Sequence, residues 1–397
     1  MNKIRRYFFA LVILFSLCGL SDAKDSRHYI VYVGTYTTGE SKGIYAYSYD
    51  VTTGGLQSLG LAAETQNPSF LAADAKGGNL FAVNETQMHQ GESSGGVSAF
   101  TIDRKTGKLS QLNEVASQGA DPCYISLDRS GKFLLVANYT GGNVGVIPIL
   151  PDGRLGEASS VQKDTGTLGP NKDRQESPHA HWIEASARNR FAYVADLGLD
   201  RILIYKFDAE KGVLSRVESA TANAGSSSGA DFFSATLTPG TGPRHVAFSA
   251  DGQFMYVLGE LDATVTVFVN DDKETYRSIQ KIAGLPVGFT GENTAAEIAI
   301  HPSGKFLYTS NRGDDSIAEF RIDKATGRLA LIAHVSTEGK APRNFVLDPT
   351  GTRLLVANQE TGNIVEYAID SATGKLTHPR SLAKVPSPVC LLFVAAD

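Results

Sequence analysis

Apolar and polar positions alternate along most of the chain, and the alternating stretches are separated by short turns that contain glycine. Alternation with a period of two is typical of β-strands, and a glycine turn between two such stretches predicts a hairpin. One hairpin unit, made of an apolar strand, a turn and a second apolar strand, recurs along the sequence. Its copies begin at Pro68, Pro122, Pro178, Pro243, Ala295 and Pro342, and a truncated copy begins at Pro388.

A second hairpin unit follows most copies of the first, as in FTIDRKTGKL from Phe100 and YAIDSATGKL from Tyr367. The two units together supply four antiparallel strands, and successive copies start 46 to 65 residues apart. Long helical periodicity is absent. Four-stranded units at this interval are typical of propeller blades, so seven copies predict an all-β, seven-bladed β-propeller.

The two ends of the chain are predicted to share one blade. The last copy, residues 388–394, has room for a single strand, whereas the N-terminal region supplies three strands, the first over residues 30–36. Pairing of the N- and C-terminal strands closes the ring and hides the edges of the sheet. We therefore expect one domain, residues 26–397, with the C-terminal strand innermost in the closing blade.

Residues 1–23 have the features of a secretory signal peptide. Lys3, Arg5 and Arg6 precede an apolar stretch, residues 7–20, and small residues stand at the two positions that a signal peptidase reads. The apolar stretch is short for a membrane span, so an uncleaved anchor is the weaker interpretation. We expect an exported protein, periplasmic or secreted, with no stable membrane association after cleavage.

Charge and cysteine content exclude several classes of partner and site. The 397 residues carry a formal net charge of -5, and no basic cluster offers the surface that phosphate backbones require, so no nucleic-acid partner is expected. CxxC and HExxH motifs are absent, and we predict no metal site and no cofactor. Cys123 and Cys390 begin strands in copies that are not neighbours in the ring, so we expect no disulfide between them.

The hairpin register places candidate chemistry at one end of the central channel. Each inner strand starts at this end and its partner returns to it, so the residue after the starting proline lies close to the residue sixteen positions later. Arg244 and Glu260 are one such pair, and Arg343 and Gln359 are another. The predicted site residues at this end are His179, Arg244, Glu260, Arg312, Arg343, Glu85, Asp196, Asn138, His181 and Gln359.

A ring of arginine, histidine and carboxylate groups suits ester chemistry on an anionic or polyhydroxylated small molecule. Arginine binds carboxylates and phosphates in a bidentate manner and stabilises a developing oxyanion. Histidine acts as a general base near neutral pH, and a neighbouring carboxylate orients it or shares that role. The pattern therefore favours attack of water on an activated ester. A structural hydrogen bond within the blade is the alternative role for His179.

Several runs of residues, in the right order, resemble the lactonase seven-bladed β-propeller family. This family contains the propeller-type 6-phosphogluconolactonases and the fungal carboxymuconate lactonising enzymes. The runs are NPSFL from Asn67, RQESPHAH from Arg174, GPRH from Gly242, GEL from Gly259, SNRG from Ser310 and PRNF from Pro342. The resemblance covers nearly the whole chain after the signal peptide. It implies opening or closing of a lactone ring without a metal, with His179, Arg244, Glu260 and Arg312 as catalytic residues.

The other predicted site residues are expected to bind the substrate, a lactone. They are Arg343, which matches a further basic position of the family, and Glu85, Asn138, His181, Asp196 and Gln359. The sequence leaves two other functions open: ligand binding without catalysis, and ring closure by a cycloisomerase in the same site.

Two features depart from the family. An export signal does not suit 6-phosphogluconolactone, which is a cytosolic intermediate. Residues 221–241 form an insertion rich in glycine, serine, threonine and alanine, which is expected to lengthen the loop before GPRH and alter access to the site.

Overall fold

The structure is a computed structural model that describes residues 27–217, 234–270 and 276–397, so the predicted signal peptide lies outside the described residues. Within these ranges the chain forms strands and no helix, and therefore no helix that could span a membrane. The strands make seven antiparallel sheets in the order of the seven sequence copies. Each innermost strand contacts the innermost strand of the next sheet, and the last contacts the first. The predicted all-β, seven-bladed propeller is confirmed.

Blades 1 to 7 are numbered by the copies that start them, and the strands are numbered along the chain. Blade 1 contains β4 (Leu71–Ala73), β5 (Asn79–Asn84), β6 (Gly96–Ile102) and β7 (Leu109–Ala116), and blade 2 contains β8 (Pro122–Leu127), β9 (Phe133–Asn138), β10 (Asn143–Pro148) and β11 (Ser160–Lys163). Blade 3 contains β12 (Ala180–Ala185), β13 (Phe191–Asp196), β14 (Arg201–Asp208), β15 (Val213–Arg216) and β16 (Ser234–Thr236). Blade 4 contains β17 (Pro243–Phe248), β18 (Phe254–Gly259), β19 (Thr264–Asn270) and β20 (Tyr276–Ala283). Blade 5 contains β21 (Thr294–Ile300), β22 (Phe306–Arg312), β23 (Ser316–Ile322) and β24 (Leu329–Ser336), and blade 6 contains β25 (Pro342–Leu347), β26 (Arg353–Asn358), β27 (Asn363–Ile369) and β28 (Leu376–Lys384).

Blade 7 joins the two ends of the chain, as the sequence predicted. Its strand order from the channel outward is β29 (Pro388–Ala395), β1 (His28–Thr35), β2 (Gly43–Asp50) and β3 (Leu56–Glu64). The first and last strands pair antiparallel over most of their length. The C-terminal strand is innermost, so no innermost edge of the ring is left open.

Burial explains why the middle strands of the blades are so apolar. A middle strand such as β9 is buried along its whole length, because neighbouring blades cover both of its faces. An outer strand such as β20 alternates between partly buried and exposed positions, since one face meets solvent. Large aromatic side chains, including the fully buried Trp182, fill the space between blades 2, 3 and 4.

The insertion at residues 221–241 contributes to the outer edge of blade 3. Residues 218–233 lie outside the described residues, but the strand that follows, β16, pairs with the first half of β14. The second half of β14 pairs with β15. The outer strand of this blade is therefore formed in two pieces, and the insertion supplies the second of them.

The turns that lead into the inner strands share a backbone feature. The residue before the starting proline has a left-handed conformation in five blades, with φ values between 41° and 60°. These residues are Asn67, Asp121, Gly242, Ala341 and Ser387. Non-glycine residues rarely adopt this conformation, which costs about 1 kcal/mol or more. The strained turns all lie at the end of the channel where the predicted site residues converge, which we call the mouth.

Candidate active site

Glu260, at the end of β18, is the centre of the charged groups at the mouth. Its side chain is 5% exposed and contacts three arginines: Arg174 at 2.6 Å and Arg312 at 3.3 Å from Oε1, and Arg244 at 3.0 Å from Oε2. The Nε2 atom of His181 lies 3.8 Å from Oε2. We call these five residues the Glu260 cluster. They come from blades 3, 4 and 5 and from the loop between blades 2 and 3.

Two glycines allow the arginines to reach Glu260. Gly242 has a φ of 60°, and its N–H donates to the Asp200 carboxylate at 2.7 Å, which fixes the turn just before Arg244. Gly313 follows Arg312, and a Cβ atom there would lie 2.2 Å from the backbone carbonyl of Glu292. Both arginines are also held by backbone carbonyls. Arg244 donates to the carbonyl of Ala296. The guanidinium of Arg312 donates to the carbonyl of Ala295, in the same blade as Arg312.

The charges in the cluster support one another despite burial. Burial disfavours ionisation of Glu260, but the charges of Arg312, Arg244 and Arg174 outweigh it and lower the pKa of Glu260 far below its usual value. Burial lowers the pKa of Arg312 to about 9, and the nearby Glu260 acts in the opposite direction. Both groups are charged at neutral pH. A carboxylate held in this way orients arginines well but is a weak base.

The two histidines at the mouth have different surroundings. Burial, reinforced by Arg244, lowers the pKa of His181 well below its ordinary value, so this ring is neutral at neutral pH. In His179, Nδ1 lies 3.0 Å from the carbonyl oxygen of Tyr139, which can only accept, so Nδ1 carries the hydrogen. Its Nε2 faces the carboxylate of Glu176 at 3.0 Å. The contact with Glu176 is a hydrogen bond only when a proton lies between the two side chains, because an ionised carboxylate can only accept. Nε2 is therefore available as a base when the exposed side chain of Glu176 turns away from it.

Tyr139 connects His179 to the Glu260 cluster. Its ring stacks on that of His179 with centroids 4.4 Å apart, and it meets His181 edge to face at 5.5 Å. Arg174 donates to its hydroxyl at 3.3 Å. The predicted catalytic residues Arg244, Glu260 and Arg312 are thus in direct contact, whereas His179 lies one aromatic ring away from them.

A second polar group at the mouth joins blades 1, 6 and 7. Arg343 donates to the hydroxyl of Tyr36 at 2.8 Å, and this hydroxyl lies 2.9 Å from both carboxylate oxygens of Glu85. Burial lowers the pKa of Arg343, but Tyr36, Glu85 and Glu260 together raise it above its ordinary value. Arg343 and Glu85 are therefore brought together through a tyrosine.

Two of the predicted substrate-binding residues, Asn138 and Gln359, make no side-chain hydrogen bond to the charged groups of the mouth. The amide of Asn138, which is fully buried, donates to the Ser117 carbonyl at 3.0 Å, in the connection that leads in from the preceding blade. Asn84, Asn311 and Asn358 donate to the equivalent connections at Gln66, Gly284 and Thr337. Gln359 is partly buried, and its backbone N–H donates to Ala341. The asparagine amides therefore hold the connections between blades.

Asp196 supports the backbone below His179. Its Oδ1 accepts the N–H of His179 and the N–H of Leu199, each at 3.0 Å. Its Oδ2 has no other partner, and neither has Oδ2 of the equally buried Asp164, whose Oδ1 accepts from Tyr205 at 2.6 Å. Burial raises the pKa of both carboxyls, that of Asp164 well above its ordinary value, and the charge of Asp196 adds to the shift of Asp164. These shifts predict that the pair, which lies beneath the site, holds one proton between the two Oδ2 atoms at neutral pH.

Two residues that the sequence analysis did not assign belong to the site. Tyr36 occupies in blade 7 the position that Glu85 and Glu260 occupy in their blades, and its N–H donates to Ser387 in the same pattern. The sixteen-residue spacing missed it because this blade is split between the chain ends. Arg174 stands in the RQESPHAH run, but its loop has no counterpart in the register of the other blades. Gln175 anchors this loop by donating to the Leu197 carbonyl at 2.8 Å.

Below the mouth the channel is nearly closed. His245 donates through Nδ1 to Glu297 at 2.8 Å, because its Nε2 accepts from Arg244, and Asn344 donates to the same carboxylate at 2.6 Å. Phe70 and Tyr124 pack against the ring of His245. The space left in the channel is a cavity of about 10 Å³, room for about one water molecule. This cavity is too small to hold a sugar-sized ligand.

An open cleft of about 560 Å³ lies beside the Glu260 cluster. It is lined by Asn171, Asp173, Arg174, Leu261, Glu292, Asn293, Thr294 and Arg312. We call it the mouth cleft. A larger cleft, of about 1230 Å³, contains Arg129, Arg188 and Arg190, but none of the predicted site residues lines it.

The described ranges hold two cysteines, neither of them paired. Within these ranges, no set of three or more histidine, cysteine or acidic side chains is arranged to bind a metal ion. Cys123 and Cys390 are buried and free, in agreement with the absence of a disulfide between them expected from the sequence. Independence from metal stays a prediction for the active protein.

The fold and the site together define a class. A seven-bladed β-propeller carries, at one mouth of its channel, a buried glutamate surrounded by arginines and histidines from several blades. Residues 30–393 match the family model described as lactonase, 7-bladed beta-propeller. The chain belongs to this family and is a lactonase, a hydrolase that acts on the ester bond of lactones.

Relatives cover the chain almost completely. It is 37% identical to a 6-phosphogluconolactonase of Bacillus subtilis over 367 residues, 92% of this chain and 98% of the relative. It is 33% identical to a 6-phosphogluconolactonase of Formosa agariphila over 80% of this chain and 86% of that one. The structure of a periplasmic gluconolactonase of Pseudomonas aeruginosa superimposes with a TM-score of 0.84 at 33% identity, covering 93% of this chain and all of that one.

Proposed function

We propose that the protein hydrolyses a sugar lactone at the mouth of the propeller, outside the cytoplasm and without a metal ion. The observation that carries the assignment of the site is the sharing of Glu260 by arginines from separate parts of the chain, beside the oriented imidazole of His179. The names of the relatives support a gluconolactone or its 6-phosphate as the substrate class.

Arg312 is the group that polarises the lactone carbonyl. Its side chain is 14% exposed, so it lies at the boundary between the buried cluster and solvent. A planar guanidinium fixed by backbone carbonyls stabilises the negative charge that develops on the carbonyl oxygen. Arg244, only 3% exposed, acts as a positioning residue that holds Glu260 in place. Glu260 in turn orients Arg312 and can accept hydrogen bonds from substrate hydroxyls.

His179 is the general base. Water attacks the carbonyl carbon, its proton moves to Nε2 of His179, and the carbonyl electrons move to the oxygen beside Arg312. The resulting imidazolium donates to Glu176, whose carboxylate faces Nε2. Collapse of the tetrahedral intermediate breaks the ring C–O bond, and the leaving oxygen takes the proton from the imidazolium. The product is the open-chain hydroxy acid.

Export and domain extent follow from the sequence. The signal-like segment, residues 1–23, supports a periplasmic or secreted location, and the periplasmic relative is compatible with it. Cleavage after residue 23 leaves residues 24–397, of which residues 26–397 form the propeller domain. Its partner is a small-molecule lactone, with no nucleic acid and no membrane required.

The assignment is tested with purified protein lacking residues 1–23 and a panel of phosphorylated and unphosphorylated sugar lactones, with ring opening followed by proton release. His179→Gln is expected to lower kcat by about 100-fold, a typical effect of losing a general base. His378→Gln is the matched control, because His378 is exposed on an outer strand. His181→Gln separates the two imidazoles: a large kcat loss there, with full activity in His179→Gln, would assign the base to His181 instead.

A chelator experiment tests the absence of a metal requirement. Dialysis against EDTA is expected to leave hydrolysis unchanged, since three arginines surround the carboxylate of Glu260 and repel a cation. Loss of activity that calcium or zinc restores would contradict the role given to Arg312.

A further inference from the structure

The charged side chains that line the mouth cleft indicate which kind of lactone the enzyme hydrolyses. Arg174 and Arg312 meet at one side of it, where both contact Oε1 of Glu260. Asp173 and Glu292, both exposed, line the same cleft, together with the polar side chains of Asn293 and other residues. The cleft therefore mixes hydrogen-bond donors and acceptors of both charges next to the expected position of the lactone carbonyl.

The arginines at the cleft keep donors for a ligand, although Glu260 offsets their charge. Arg312 donates through Nε and Nη2 to the backbone carbonyls of Thr294 and Ala295, and its Nη2 also contacts Glu260. Arg174 donates through Nη2 alone, to Glu260 and to the hydroxyl of Tyr139. A guanidinium has five N–H donors, so Nη1 of Arg312 and Nε and Nη1 of Arg174 are left to donate to a substrate. Selection between a hydroxyl and a phosphate therefore depends on the charged groups at the edge of the cleft.

The formal charges around the mouth leave no excess of positive charge. Four arginines, Arg174, Arg244, Arg312 and Arg343, lie beside five carboxylates, Glu85, Glu176, Glu260, Asp173 and Glu292. Asp173 and Glu292, which line the cleft itself, are both exposed. A phosphate dianion would therefore enter a site with no excess of positive charge and would meet like charges at its edge.

We infer that the mouth cleft is the subsite for the hydroxylated carbon chain of the substrate, and that it selects an unphosphorylated sugar lactone. Arg174 is its specificity-determining residue, because it is 36% exposed and links Glu260 to the cleft. This inference rests on the proposed function of the same mouth. Among sugar lactones, it assigns uncharged polyhydroxylated lactones as the preferred substrate class.

The first test compares glucono-δ-lactone with its 6-phosphate on the wild-type protein, after subtraction of spontaneous hydrolysis. We expect kcat/KM to be at least about tenfold higher for the unphosphorylated lactone, the effect of two exposed like charges. Preference for the phosphorylated lactone would overturn the inference and leave the lactonase assignment intact. Hydrolysis of neither would contradict the proposed function itself.

The second test removes the acidic edge of the cleft. Asp173→Asn combined with Glu292→Gln is expected to raise kcat/KM for the phosphorylated lactone relative to the unphosphorylated one, by about tenfold at low salt and less at high salt. Glu157→Gln combined with Glu210→Gln is the matched control. It makes the same change in net charge at exposed positions in hairpin connections at the other end of the blades. An equal shift in both double variants would show a general charge effect and overturn the role of the cleft.

The third test concerns Arg174. Glucono-δ-lactone and δ-valerolactone have the same ring ester, but only the first carries hydroxyls. Arg174→Ala is expected to lower kcat/KM for glucono-δ-lactone about tenfold more than kcat/KM for δ-valerolactone, with the difference appearing mainly in KM and with partial recovery in Arg174→Lys. Equal losses on both lactones would mean that Arg174 only maintains the structure of the mouth, and the specificity role would be wrong.

Discussion

Two buried glutamates in this propeller, Glu260 and Glu366, have similar immediate neighbours and different surroundings. Glu366 is 2% exposed, contacts Arg380 at 2.6 Å and Arg353 at 3.3 Å, and accepts from the Tyr49 hydroxyl at 2.9 Å. Glu260 is buried to a similar degree and also has arginine partners and a tyrosine nearby. A count of charged neighbours does not distinguish the two.

The difference lies in where the partners come from. The arginines beside Glu366 belong to the two strands that flank its own strand in blade 6, and Tyr49 comes from the adjacent blade 7. The arginines beside Glu260 include two from outside its blade, and the group opens onto a cleft. The group around Glu366 links two neighbouring blades. The Glu260 cluster brings side chains from separate blades to the edge of a cleft that a ligand can enter, as a binding site requires.

The largest effect is expected from neutralising Glu260. Glu260→Gln keeps the shape of the side chain but removes the charge that orients three arginines, so we expect kcat/KM for the preferred lactone to fall by about 100-fold or more. Glu366→Gln, the same substitution in the other cluster, is expected to retain activity within about twofold. Steady-state kinetics on both folded variants provide the measurement. Similar losses in the two variants would remove the distinction drawn here.

The second expected effect is on stability. Glu366→Gln leaves Arg353 and Arg380 beside a neutral amide between blades 6 and 7, and both arginines keep some contact with water, so the free energy of unfolding is expected to fall by about 2 kcal/mol. Because Tyr49 and Glu366 come from opposite parts of the chain, this loss weakens the closure of the ring. Denaturant unfolding gives the value, and Glu157→Gln on the surface serves as the control. An unchanged midpoint would mean that the Glu366 group adds nothing to stability.

The comparison also shows how far sequence reasoning reaches. The seven copies predicted the fold because blade strands are made by local hairpins, and local hairpins leave a repeated pattern. The same register predicted the contact between Arg244 and Glu260, since both residues lie at paired strand ends. It also predicted that the first and last strands pair.

The remaining parts of the site depend on features that the register does not encode. Arg174 reaches Glu260 from an irregular loop, and Tyr36 meets Arg343 only through closure of the ring. Asn138 and Asp196 stand at strand ends like true site residues, yet their polar atoms bond the backbone of adjacent turns. Sequence spacing gives the position of such a residue but not the direction of its side chain.

The third expected effect is a dependence of stability on pH, which comes from two aspartates beneath the mouth. Asp164 and Asp196 share a proton beneath His179, and burial raises the pKa of both, so the folded protein binds more protons than the unfolded chain above the ordinary aspartate pKa. Stability contributed by this pair is complete below that ordinary value and is lost as pH rises through the raised pKa values. Asp164→Asn removes the dependence and is expected to stabilise the protein by about 1 kcal/mol at pH 8 and less at pH 5.

Unfolding by urea at the two pH values measures this difference, and Asp152→Asn is a control at an exposed position. Asparagine can donate to Asp196 and accept from Tyr205, so the substitution preserves the hydrogen bonds around His179. A variant that is less stable than the wild type at both pH values would mean that the two aspartates do not share a proton.

The smallest expected effect concerns the cysteines, one in each region. Cys123 lies beneath the mouth, with its sulfur 3.7 Å from Nδ1 of His181, and Cys390 lies in the closing strand of blade 7. Burial raises the pKa of both thiols, that of Cys390 to about 12, so neither is a reactive thiolate at neutral pH.

A thiol reagent is expected to modify neither cysteine in the native protein without residues 1–23. After denaturation without reductant, the reagent is expected to find two free thiols. A reductant should leave the melting temperature unchanged. Rapid native modification of Cys123 alone would show that the mouth opens more often than the blade junction, and a lower melting temperature with reductant would reveal a disulfide that the fold does not support.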